Sequence, residues 1–424
     1  MKQDFVENIR WRGLIHDISA GAEDCLKKEK VTGYIGFDLT ATSLHIGNLV
    51  PIMLLKHLQN CGHRPIALLG GATSLIGDPS GKSAERKFLS EDEIMHNQEC
   101  IKEQLCHFLD FGKNGALLLN NLDWFADTSF LKFLREVGKH ISVSYMLAKD
   151  SVKNRLESGI SFTEFSYQLM QAYDFYYLNK NYNVKLQMGG ADQWGNLTTG
   201  TELIRRKTGN EVFLVTAPLI TKSDGQKFGK SESGNIWLDP KMTSPYSFYQ
   251  FWMNCSDEDA RKLIYIYSML GKCDIESLLE KHNKTPEKRI LQQTIANELT
   301  TVVHSQKACN DAIKTSEILF YNFADIACLT EQDFETVSKN IPKICVNKSL
   351  LSEPLNILDL VSSVTRSEIF NSKNEARRSI IGGALSINKI KITDPNENIH
   401  LKVMQNKYML VQKGKNALYI VVFD

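Results

Sequence analysis

Residues Val31 to Val50 read VTGYIGFDLTATSLHIGNLV and indicate the architecture of the chain. A short apolar run, typical of a buried strand, is followed by a polar turn and then by an apolar segment with helical spacing. The same alternation recurs in the first half of the chain, with strands expected at 31–37, 65–69 and 184–188 and helices at 47–60 and 193–207. We therefore predict an α/β domain with a mostly parallel sheet, in which ligands bind at the carboxyl ends of the strands.

The composition is that of an ordinary globular protein, with 42% hydrophobic and 23% charged residues in a chain of 424. This length predicts more than one domain, and the composition excludes collagen-like, disordered and disulfide-scaffold proteins. The 9 cysteines include no CxxC pair, so we expect reduced thiols and no protein-held metal. No signal peptide and no run of about 18 apolar residues is found, which predicts a cytoplasmic protein without a membrane span.

The pattern changes after Thr243, where signals for helix starts replace the alternation of strands. From 321 to 350 no periodicity persists, which predicts a linker. The last segment combines a helix that carries Arg377 and Arg378 with strands and a hairpin. Between positions 373 and 415 it has nine basic residues against three acidic ones, although the net charge of the whole chain is only +1. Such a cluster is most often a solvated face, but it can also bind a polyanion.

One glycine-rich loop imitates a nucleotide-binding motif. Residues 77–83 read GDPSGKS, with three residues between the two glycines where a P-loop has four. A P-loop ATPase or kinase is therefore disfavoured. Because the loop follows a strand, Asp78 can still reach a ligand, and Lys82 and Arg86 can meet an anion.

Two other segments have residues suited to a nucleotide. His45 and Asn48 lie three residues apart at the start of a helix, where unpaired amides and the helix dipole favour a phosphate. Residues 227–231 read KFGKS, and Lys227 and Lys230 can converge on a triphosphate. Taken singly, a histidine near an asparagine is usually structural, and a basic turn is usually only solvated.

A third group lies within an aromatic segment. Tyr167, Gln171 and Asp174 recur at i, i+4 and i+7, which places a phenol, an amide and a carboxylate on one face of a helix. A polar helix face is normally just solvated. In this aromatic context the face suits a pocket for an amino acid.

These segments together resemble a known family. His45 to Asn48 resembles the HIGH signature, and Lys227 to Ser231 the KMSKS signature, of class I aminoacyl-tRNA synthetases. The longer segments that closely resemble bacterial tyrosyl-tRNA synthetases are 34–38, 165–167, 171–175 and 189–196. The similarity extends through the basic C-terminal segment. Asn48 replaces the second histidine of many relatives and Phe228-Gly229 replaces Met-Ser, and both variations are familiar among the tyrosine enzymes.

The resemblance implies a division of the chain and a role for each site residue. The expected parts are a Rossmann-like catalytic domain at 1–225, a mobile KFGKS loop and all-helical anticodon-side domain at 226–320, a linker at 321–350 and an α+β RNA-binding module at 351–424. Tyrosine contacts are implied for Tyr34, Asp78, Tyr167, Gln171, Asp174, Gln187 and Gln193. Contacts to ATP or its ribose are implied for Gly36, Asp38, Thr40, His45, Gly47, Asn48, Asp192 and Lys230. Catalytic roles are implied for His45, Asn48, Lys227, Lys230, Ser231, Lys82 and Arg86.

The implied activity is tyrosine–tRNA ligation. Tyrosine reacts with ATP to give tyrosyl-adenylate and pyrophosphate, and tyrosine then passes to the 3′ end of tRNA(Tyr). No side chain needs to act as a nucleophile, so catalysis rests on positioning and charge, with Mg²⁺ carried on the phosphates of ATP. The family also implies a homodimer with no DNA or membrane partner. RNA contacts are implied for Arg377, Arg378, Lys389 and Lys391.

Two alternatives stay open. A tryptophanyl-tRNA synthetase shares the fold and the signatures, but it is not expected to combine Tyr34 with Asp174 or to have this C-terminal module. A catalytically inactive RNA-binding protein of the same fold is the second alternative, against which the intact HIGN and KFGKS segments argue.

Overall fold

The computed structural model divides into two compact units. The first comprises residues 1–242 and 252–303, and the second comprises 243–251 and 304–424. The residues that the structure describes are 4–80, 89–113, 115–149, 152–153, 159–221, 223, 225, 228–231, 234–320, 329–400, 402–414 and 417–424. No helix in this described part is both long and apolar enough to cross a membrane.

A six-stranded sheet forms the centre of the first unit. Its strands are β1 (Asp17–Ile18), β2 (Thr32–Asp38), β3 (Arg64–Gly70), β4 (Leu117–Asn120), β5 (Val184–Gly190) and β6 (Phe213–Ala217). They lie in the order β1-β6-β5-β2-β3-β4, and neighbours are parallel except for β1 and β6. The predicted α/β class with a mostly parallel, Rossmann-like sheet is confirmed.

Helices precede and connect the strands of this sheet. They are α1 (Phe5–Trp11), α2 (Ala22–Lys28), α3 (Leu49–Asn60), α4 (Gly71–Ile76), α5 (Glu91–Cys106), α6 (Leu122–Phe125), α7 (Phe130–Glu136), α8 (Val143–Leu147), α9 (Phe162–Tyr182) and α10 (Trp194–Thr208). The helices predicted at 47–60 and 193–207 are confirmed by α3 and α10. Helix α3 is buried along most of its length, as a crossover between two parallel strands requires.

The order of the strands fixes where a ligand can bind. From β2 the chain continues outward through β3 and β4, and it returns on the other side of β2 through β5 and β6. At such a reversal the connections leave in opposite directions, so a crevice opens at the carboxyl ends of the strands. In this molecule the crevice lies where β2 ends at Asp38 and β5 ends at Gly190.

The rest of the first unit is mainly helical. Strands β7 (Lys230–Ser231) and β8 (Gly234–Asn235) pair in a short hairpin. The helices that follow are α11 (Pro245–Met253), α12 (Asp257–Tyr267), α13 (Lys272–Lys284) and α14 (Ile290–Val303). The boundary between the two units falls within α11, after Phe251.

The helical domain expected at 226–320 differs from this division, since 252–303 belongs to the same unit as the sheet. Arg12, at the end of α1, supplies the physical reason. Its guanidinium donates to the carbonyls of Tyr265, Ser268 and Leu270, at 2.9, 2.7 and 2.6 Å. These carbonyls lie at the end of α12, where helical partners run out, so Arg12 ties α12 to the amino-terminal helix. Burial lowers the pKa of Arg12 to about 10.

The second unit combines helices with a five-stranded sheet. Its further helices are α15 (Gln306–Phe320), α16 (Glu331–Asn340), α17 (Ile357–Asp359) and α18 (Lys373–Ile381). Its strands are β9 (Lys343–Val346), β10 (Leu355–Asn356), β11 (Leu385–Ile387), β12 (Ile390–Lys391), β13 (Asn398–Ile399), β14 (Tyr408–Lys413) and β15 (Ala417–Phe423). The sheet order is β12-β11-β14-β15-β9, and the predicted hairpin is confirmed by β14 and β15.

The linker expected at 321–350 is wrong for the part that the structure describes, 329–350. Helix α16 begins at a capping box on Thr330 and buries Phe334 and Val337. Strand β9 then pairs in parallel with β15. Both elements are short, and each has only two or three apolar positions, so no period stands out in the sequence. Residues 321–328 lie outside the described part.

Candidate active site

A cavity of about 710 Å³ opens at the carboxyl ends of β2 and β5. It brings together residues that are far apart in sequence. The predicted residues that line it are Tyr34, Gly36, Asp38, Thr40, His45, Gly47, Asn48, Asp78, Tyr167, Gln171, Asp174, Gln187, Asp192 and Gln193. The polar face predicted on α9 therefore faces this cavity rather than bulk solvent.

The closed end of the cavity is built around Asp174 on α9. Its carboxylate accepts hydrogen bonds from Trp124 Nε1 at 2.9 Å and from Asn121 Nδ2 at 3.1 Å. Burial raises the pKa of Asp174 to about 7, because the hydrogen bonds from Asn121 and Trp124 only partly offset the loss of solvent and the charge of Asp38 opposes ionisation. Two fixed donors thus hold the carboxyl group in one orientation.

Asn121 and Trp124 belong to the candidate site through their hydrogen bonds to Asp174, and the sequence pattern did not single them out. Both lie just beyond the carboxyl end of β4, in and before the short helix α6. Trp124 stacks on Tyr177, with ring centroids 4.5 Å apart, which fixes the direction of its Nε1–H. A signal was available in the sequence, because polar side chains that directly follow a strand of a parallel sheet are candidates for its ligand site.

Tyr34 on β2 completes the closed end. It is 1% exposed, and its hydroxyl has no hydrogen-bond partner among the described residues. Burial, with a smaller effect from the nearby charge of Asp174, raises the pKa of Tyr34 well above its ordinary value, so the hydroxyl stays protonated and can donate. Gln171 Oε1 and Gln187 Oε1 are also buried without a partner in the described part. A buried polar atom left unpaired costs about 1–3 kcal/mol, so this set indicates a site for a polar ligand.

Carboxylates line the middle of the cavity. Tyr167 donates from its hydroxyl to Asp38 Oδ1 at 3.4 Å. Asp78 accepts from Gln193 Nε2 at 2.8 Å and from the backbone N–H of Ser80 at 2.9 Å. The loop that imitates a P-loop thus places an acid in the cavity. Two carboxylates near a phenol and amides suit a cationic group such as an ammonium.

The HIGN turn forms the open end. His45 Nδ1 accepts from the N–H of Gly47 at 3.0 Å, and Asn48 Oδ1 accepts from the N–H of His45 at 3.0 Å. The two side chains therefore form a capping box on the short turn that leads into α3. Because Nδ1 accepts, the neutral ring carries its proton on Nε2, where it is a donor. A Cβ at Gly47 would lie 2.7 Å from the His45 ring, so glycine is required there.

The KFGKS segment lies beside the HIGN turn. The structure describes Phe228 and Gly229 of this segment, together with the backbone of residues 230 and 231. Gly229 has a φ of 100°, and a Cβ there would lie 3.0 Å from Ile46. Ile236 joins the two segments, since its N–H donates to the Gly229 carbonyl at 3.2 Å and its carbonyl accepts from the N–H of Ile46 at 3.0 Å.

Several predicted residues lie outside what the structure describes. They are Lys82, Arg86, Lys227 and the side chains of Lys230 and Ser231. Among the residues that are described, no three histidine, cysteine, aspartate or glutamate side chains are grouped as metal ligands.

The predicted RNA-binding residues differ in their surroundings. Arg377 and Arg378 on α18 and Lys391 on β12 are exposed. Lys389 is half-buried, its ammonium donates to the carbonyl of Leu319, and burial lowers its pKa. The single strand expected across 385–392 is interrupted at this point, because Asn388 and Lys389 form a turn with left-handed φ angles of 46° and 67°.

Part of the basic excess in this segment is also neutralised within the protein. Lys413 pairs with Glu375 at 2.8 Å, and Lys407 pairs with Asp424 at 3.4 Å. A count of charges in the sequence therefore overstates the positive surface that the second unit presents.

Comparison with known proteins gives a consistent result for both parts of the chain. Residues 26–321 match the family model of the class I tRNA synthetases for tryptophan and tyrosine, and residues 333–422 match that of a tyrosine–tRNA ligase C-terminal domain. A tyrosine–tRNA ligase of Amoebophilus asiaticus is 61% identical over 422 residues, which are 99% of each chain. That of Cytophaga hutchinsonii is 54% identical and covers 100% of both chains.

Solved structures agree with these matches. A C-terminally truncated mitochondrial tyrosyl-tRNA synthetase of Aspergillus nidulans is 31% identical, with a TM-score of 0.67 over 75% of this chain and 94% of that chain. A tryptophanyl-tRNA synthetase of Plasmodium falciparum has a TM-score of 0.53, but at 13% identity it shows a shared fold alone.

Proposed function

The chain belongs to the tyrosine–tRNA ligases of the class I synthetases, and on this premise we propose which residues perform each part of the reaction. The enzyme activates L-tyrosine with ATP to tyrosyl-adenylate and pyrophosphate, and it transfers tyrosine to the 3′ end of tRNA(Tyr). The observation that carries the assignment of residues is the closed end of the cavity, where an unpaired phenol and a buried carboxyl group lie together.

Tyr34 and Asp174 recognise the hydroxyl of the substrate, Tyr34 as donor and Asp174 as acceptor. Asp78, Tyr167 and Gln171 bind the ammonium, and Gln187 and Gln193 complete the pocket. Phenylalanine would leave buried polar groups unpaired. Among tyrosine enzymes of this class the resulting discrimination is established at about 10⁵, and that magnitude serves as the expected upper limit for this protein.

In the activation step an oxygen of the tyrosine carboxylate forms a bond to the α-phosphorus of ATP, and the bond to pyrophosphate breaks. His45 Nε2–H and the Asn48 amide stabilise the α-phosphate at the start of α3, where the helix dipole adds to their effect. Gly36 and Gly47 let the nucleotide approach the backbone closely.

Other groups serve the two ends of the nucleotide. Asp38, Thr40 and Asp192 bind the adenosine side, since all three line the cavity near the ends of β2 and β5. Lys227, Lys230 and Ser231, with Lys82 and Arg86, balance the charge on the leaving pyrophosphate. ATP enters as its magnesium complex, with the metal on phosphate oxygens.

The second step uses the same cavity. The terminal ribose of tRNA attacks the tyrosyl carbonyl, and AMP leaves. We assign the contacts to tRNA phosphates to Arg377, Arg378 and Lys391, which are exposed, and withdraw Lys389, which contacts Leu319. The catalytic domain retains the boundaries 1–225. The RNA-binding module of 351–424 is extended to include α16 and β9. Because its high-identity relatives are bacterial tyrosine–tRNA ligases, we place the enzyme in the cytoplasm.

A second copy of the chain is the proposed partner of an apolar surface on the first unit. Helices α7, α8 and the start of α9 share one buried cluster. Their exposed apolar side chains are Phe130, Leu131, Leu134, Val143, Leu147 and Phe162. Apolar groups gathered in this way mark an interface, and a two-fold contact would cover them. Light scattering of the Leu131→Glu Phe162→Glu variant, expected to be monomeric, tests this.

Pyrophosphate exchange into ATP tests the substrate. It is measured with tyrosine, tryptophan and phenylalanine in turn, and we expect exchange with tyrosine alone. Exchange with tryptophan but not tyrosine would contradict the assignment, and the absence of exchange with all three would favour the inactive RNA-binding protein. Charging of tRNA is then measured with wild-type enzyme and with Arg377→Ala Arg378→Ala, which should lose affinity for tRNA but keep exchange activity.

A further inference from the structure

We propose that Asp259 is a positioning residue for catalysis, because it anchors the base of the KFGKS loop to helix α12. This inference rests on the proposed role of that loop in binding the leaving pyrophosphate. Asp259 itself does not line the main cavity, so it acts through the loop.

The carboxylate of Asp259 is where the loop and the helix meet. Its Oδ1 accepts from the backbone N–H of Ser223 at 2.9 Å, and its Oδ2 lies 3.5 Å from the Ser223 hydroxyl. Oδ2 also accepts from Ser256 Oγ at 2.8 Å. Asp259 is buried although Ser223 is exposed. The exposed loop therefore donates to a buried carboxylate whose position the helix fixes.

Helix capping alone does not explain this arrangement. The cap of α12 consists of Ser256 Oγ, which accepts from the N–H of Asp259 at 3.0 Å. That bond needs the backbone of residue 259 and no particular side chain. A buried carboxylate is unfavourable unless donors satisfy it, and one of its donors is the loop backbone. The side chain therefore has a function in addition to the cap.

The contact lies within a segment that is closed at its base. The N–H of Phe228 donates to the carbonyl of Ile220 at 3.2 Å, so the two ends of the segment lie side by side at its base. Between this base and α12 lies a second cavity, of about 450 Å³, whose lining includes Ser223, Leu263 and Ile266. Ser223 and Asp259 both line this cavity, so the hydrogen bond between them ties its two walls together.

The opposite end of α12 also contacts the signature segment. Tyr267 stacks on Phe228 with ring centroids 6.3 Å apart, and it lines the main cavity. Asp259 and Tyr267 are eight residues apart, which is roughly 12 Å along a helix. Arg12 holds the same end of α12 by three carbonyls. Helix α12 is thus a fixed support that contacts the segment at two separated points.

This geometry predicts a particular kinetic defect. The proposed contacts to tyrosine come from β2, β5, α9, Asp78 and Gln193, none of which lies on α12, so the KM for tyrosine should not change. Three of the five groups assigned to the pyrophosphate, Lys227, Lys230 and Ser231, belong to the loop, and a displacement of about 1 Å at such groups can cost up to 10²-fold in rate. Loss of the anchor should therefore lower kcat of the activation step.

The experiment compares four variants of the full chain by pyrophosphate exchange and thermal unfolding. Asp259→Ala removes the anchor, and Asp259→Asn retains Oδ1 as an acceptor. Ser256→Ala removes the cap, and Glu258→Ala removes an exposed charge one position away. We expect Asp259→Ala to lower kcat about tenfold with the KM for tyrosine unchanged, as for loss of a hydrogen bond to a charged group. Asp259→Asn should restore most of this loss, and the other two variants should keep the wild-type kcat.

Hydrogen exchange of the Ser223 amide gives a readout that does not need activity. Asp259→Ala should speed exchange at this amide more than Ser256→Ala does. Equal exchange in the two variants, or a fall in kcat no greater than that of Ser256→Ala, would overturn the anchoring. Wild-type enzyme that failed to exchange pyrophosphate with tyrosine would instead contradict the proposed function.

Discussion

The two ends of the active-site cavity are built in different ways. At the closed end, Asp174 is held by side-chain donors from Asn121 and Trp124 and is buried in an apolar cluster. At the open end, His45 and Asn48 are held mainly by backbone amides, and Gly229 is joined to the turn through the backbone of Ile236. Under the proposed assignment, tyrosine is recognised by a packed core, whereas the phosphate groups are bound by turns.

This difference shows how one cavity can combine selectivity with turnover. Tyrosine is distinguished from phenylalanine by buried polar groups that cannot reach water when the substrate hydroxyl is missing. Phosphate charge changes during the reaction, so its partners are better placed on segments that can adjust. Substitutions at each end of the cavity test this contrast.

Asp174→Asn should abolish most of the preference for tyrosine. The amide cannot replace the charged acceptor, so we expect the ratio of kcat/KM for tyrosine over phenylalanine to fall by roughly 10³-fold or more, towards the limit known for such enzymes. Pyrophosphate exchange with each amino acid measures this. Asp123→Asn, an exposed carboxylate in α6, is the matched control and should keep the ratio. An unchanged ratio in Asp174→Asn would remove this residue from the pocket.

His45→Ala should act at the other end. Loss of a donor to the developing charge is expected to lower kcat of activation by about 10²- to 10³-fold, with little change in the KM for tyrosine. The cap is lost as well, at about 1 kcal/mol of stability. Ser90→Ala removes a similar cap on α5, and it should lower the stability without affecting kcat. A matching rise in the KM for tyrosine would show that the two ends are not separate.

The pH dependence of tyrosine binding should distinguish the closed end of the cavity from the open end. Because the pKa of Asp174 is raised to about 7, its carboxylate is lost as pH falls below 7. Tyrosine binding to the free enzyme should weaken by about tenfold between pH 8 and pH 6. Binding is measured by equilibrium dialysis, and Asp174→Asn should remove the dependence. A flat profile in the wild type would contradict the assigned acceptor.

The raised pKa of Asp174 also makes the free energy of unfolding depend on pH, with a defined sign. Between the unfolded pKa of about 4 and the folded value of about 7, the folded enzyme holds a proton on Asp174 that the unfolded chain releases. The free energy of unfolding should therefore fall as pH rises through this window. The fall should be smaller in Asp174→Asn, and urea denaturation at pH 5 and pH 8 measures the difference.

Trp124→Phe should have a moderate effect. It removes the Nε1–H donor to Asp174 and retains a ring that can stack on Tyr177. One neutral donor is worth about 1 kcal/mol, so kcat/KM for tyrosine should fall about fivefold. The midpoint of the pH profile should also rise, because that donor favours the carboxylate form. Trp11→Phe, far from the cavity in sequence and not among its lining residues, serves as control.

The smallest effect is expected in the second unit, where the exposed Arg377 contrasts with the half-buried Lys389. Arg377→Ala should weaken tRNA binding about threefold and reduce the salt slope of binding by about 1. Lys389→Ala should leave that slope unchanged and lower the melting temperature, since its ammonium contacts the Leu319 carbonyl. Filter binding at several salt concentrations checks both, and an equal change of slope would contradict the distinction.

Local pattern in the sequence predicts several parts of the site. The strand at 31–37, the turn at His45 and the polar face with Tyr167 and Asp174 are all expected from spacing, and the structure places them around one cavity. The roles of these residues follow from resemblance to a family and stay proposals. Spacing alone is equally compatible with a purely structural role for each of these residues. For His45, the capping box shows that it does have such a structural role.

What the sequence does not predict depends on contacts between distant segments. Asn121 and Trp124 meet Asp174 across about fifty positions, and no periodicity reports such a contact. Alternation places Lys389 within a strand, although Asn388 before it readily adopts the left-handed conformation that a tight turn needs. The Lys389 ammonium also donates to the carbonyl of Leu319, and this distant contact determines whether the charge of Lys389 is available to a partner.

The parallel pairing of β9 with β15 has a consequence for dissecting the enzyme. A fragment that begins at 351 would lack β9 and leave β15 as an unpaired edge, which is a template for aggregation. The apolar side chains that α16 buries against β14 would be uncovered too. A soluble RNA-binding fragment should therefore begin at or before Thr330, and an affinity tag is better placed away from Asp424, whose backbone bonds to Val346 and Lys348.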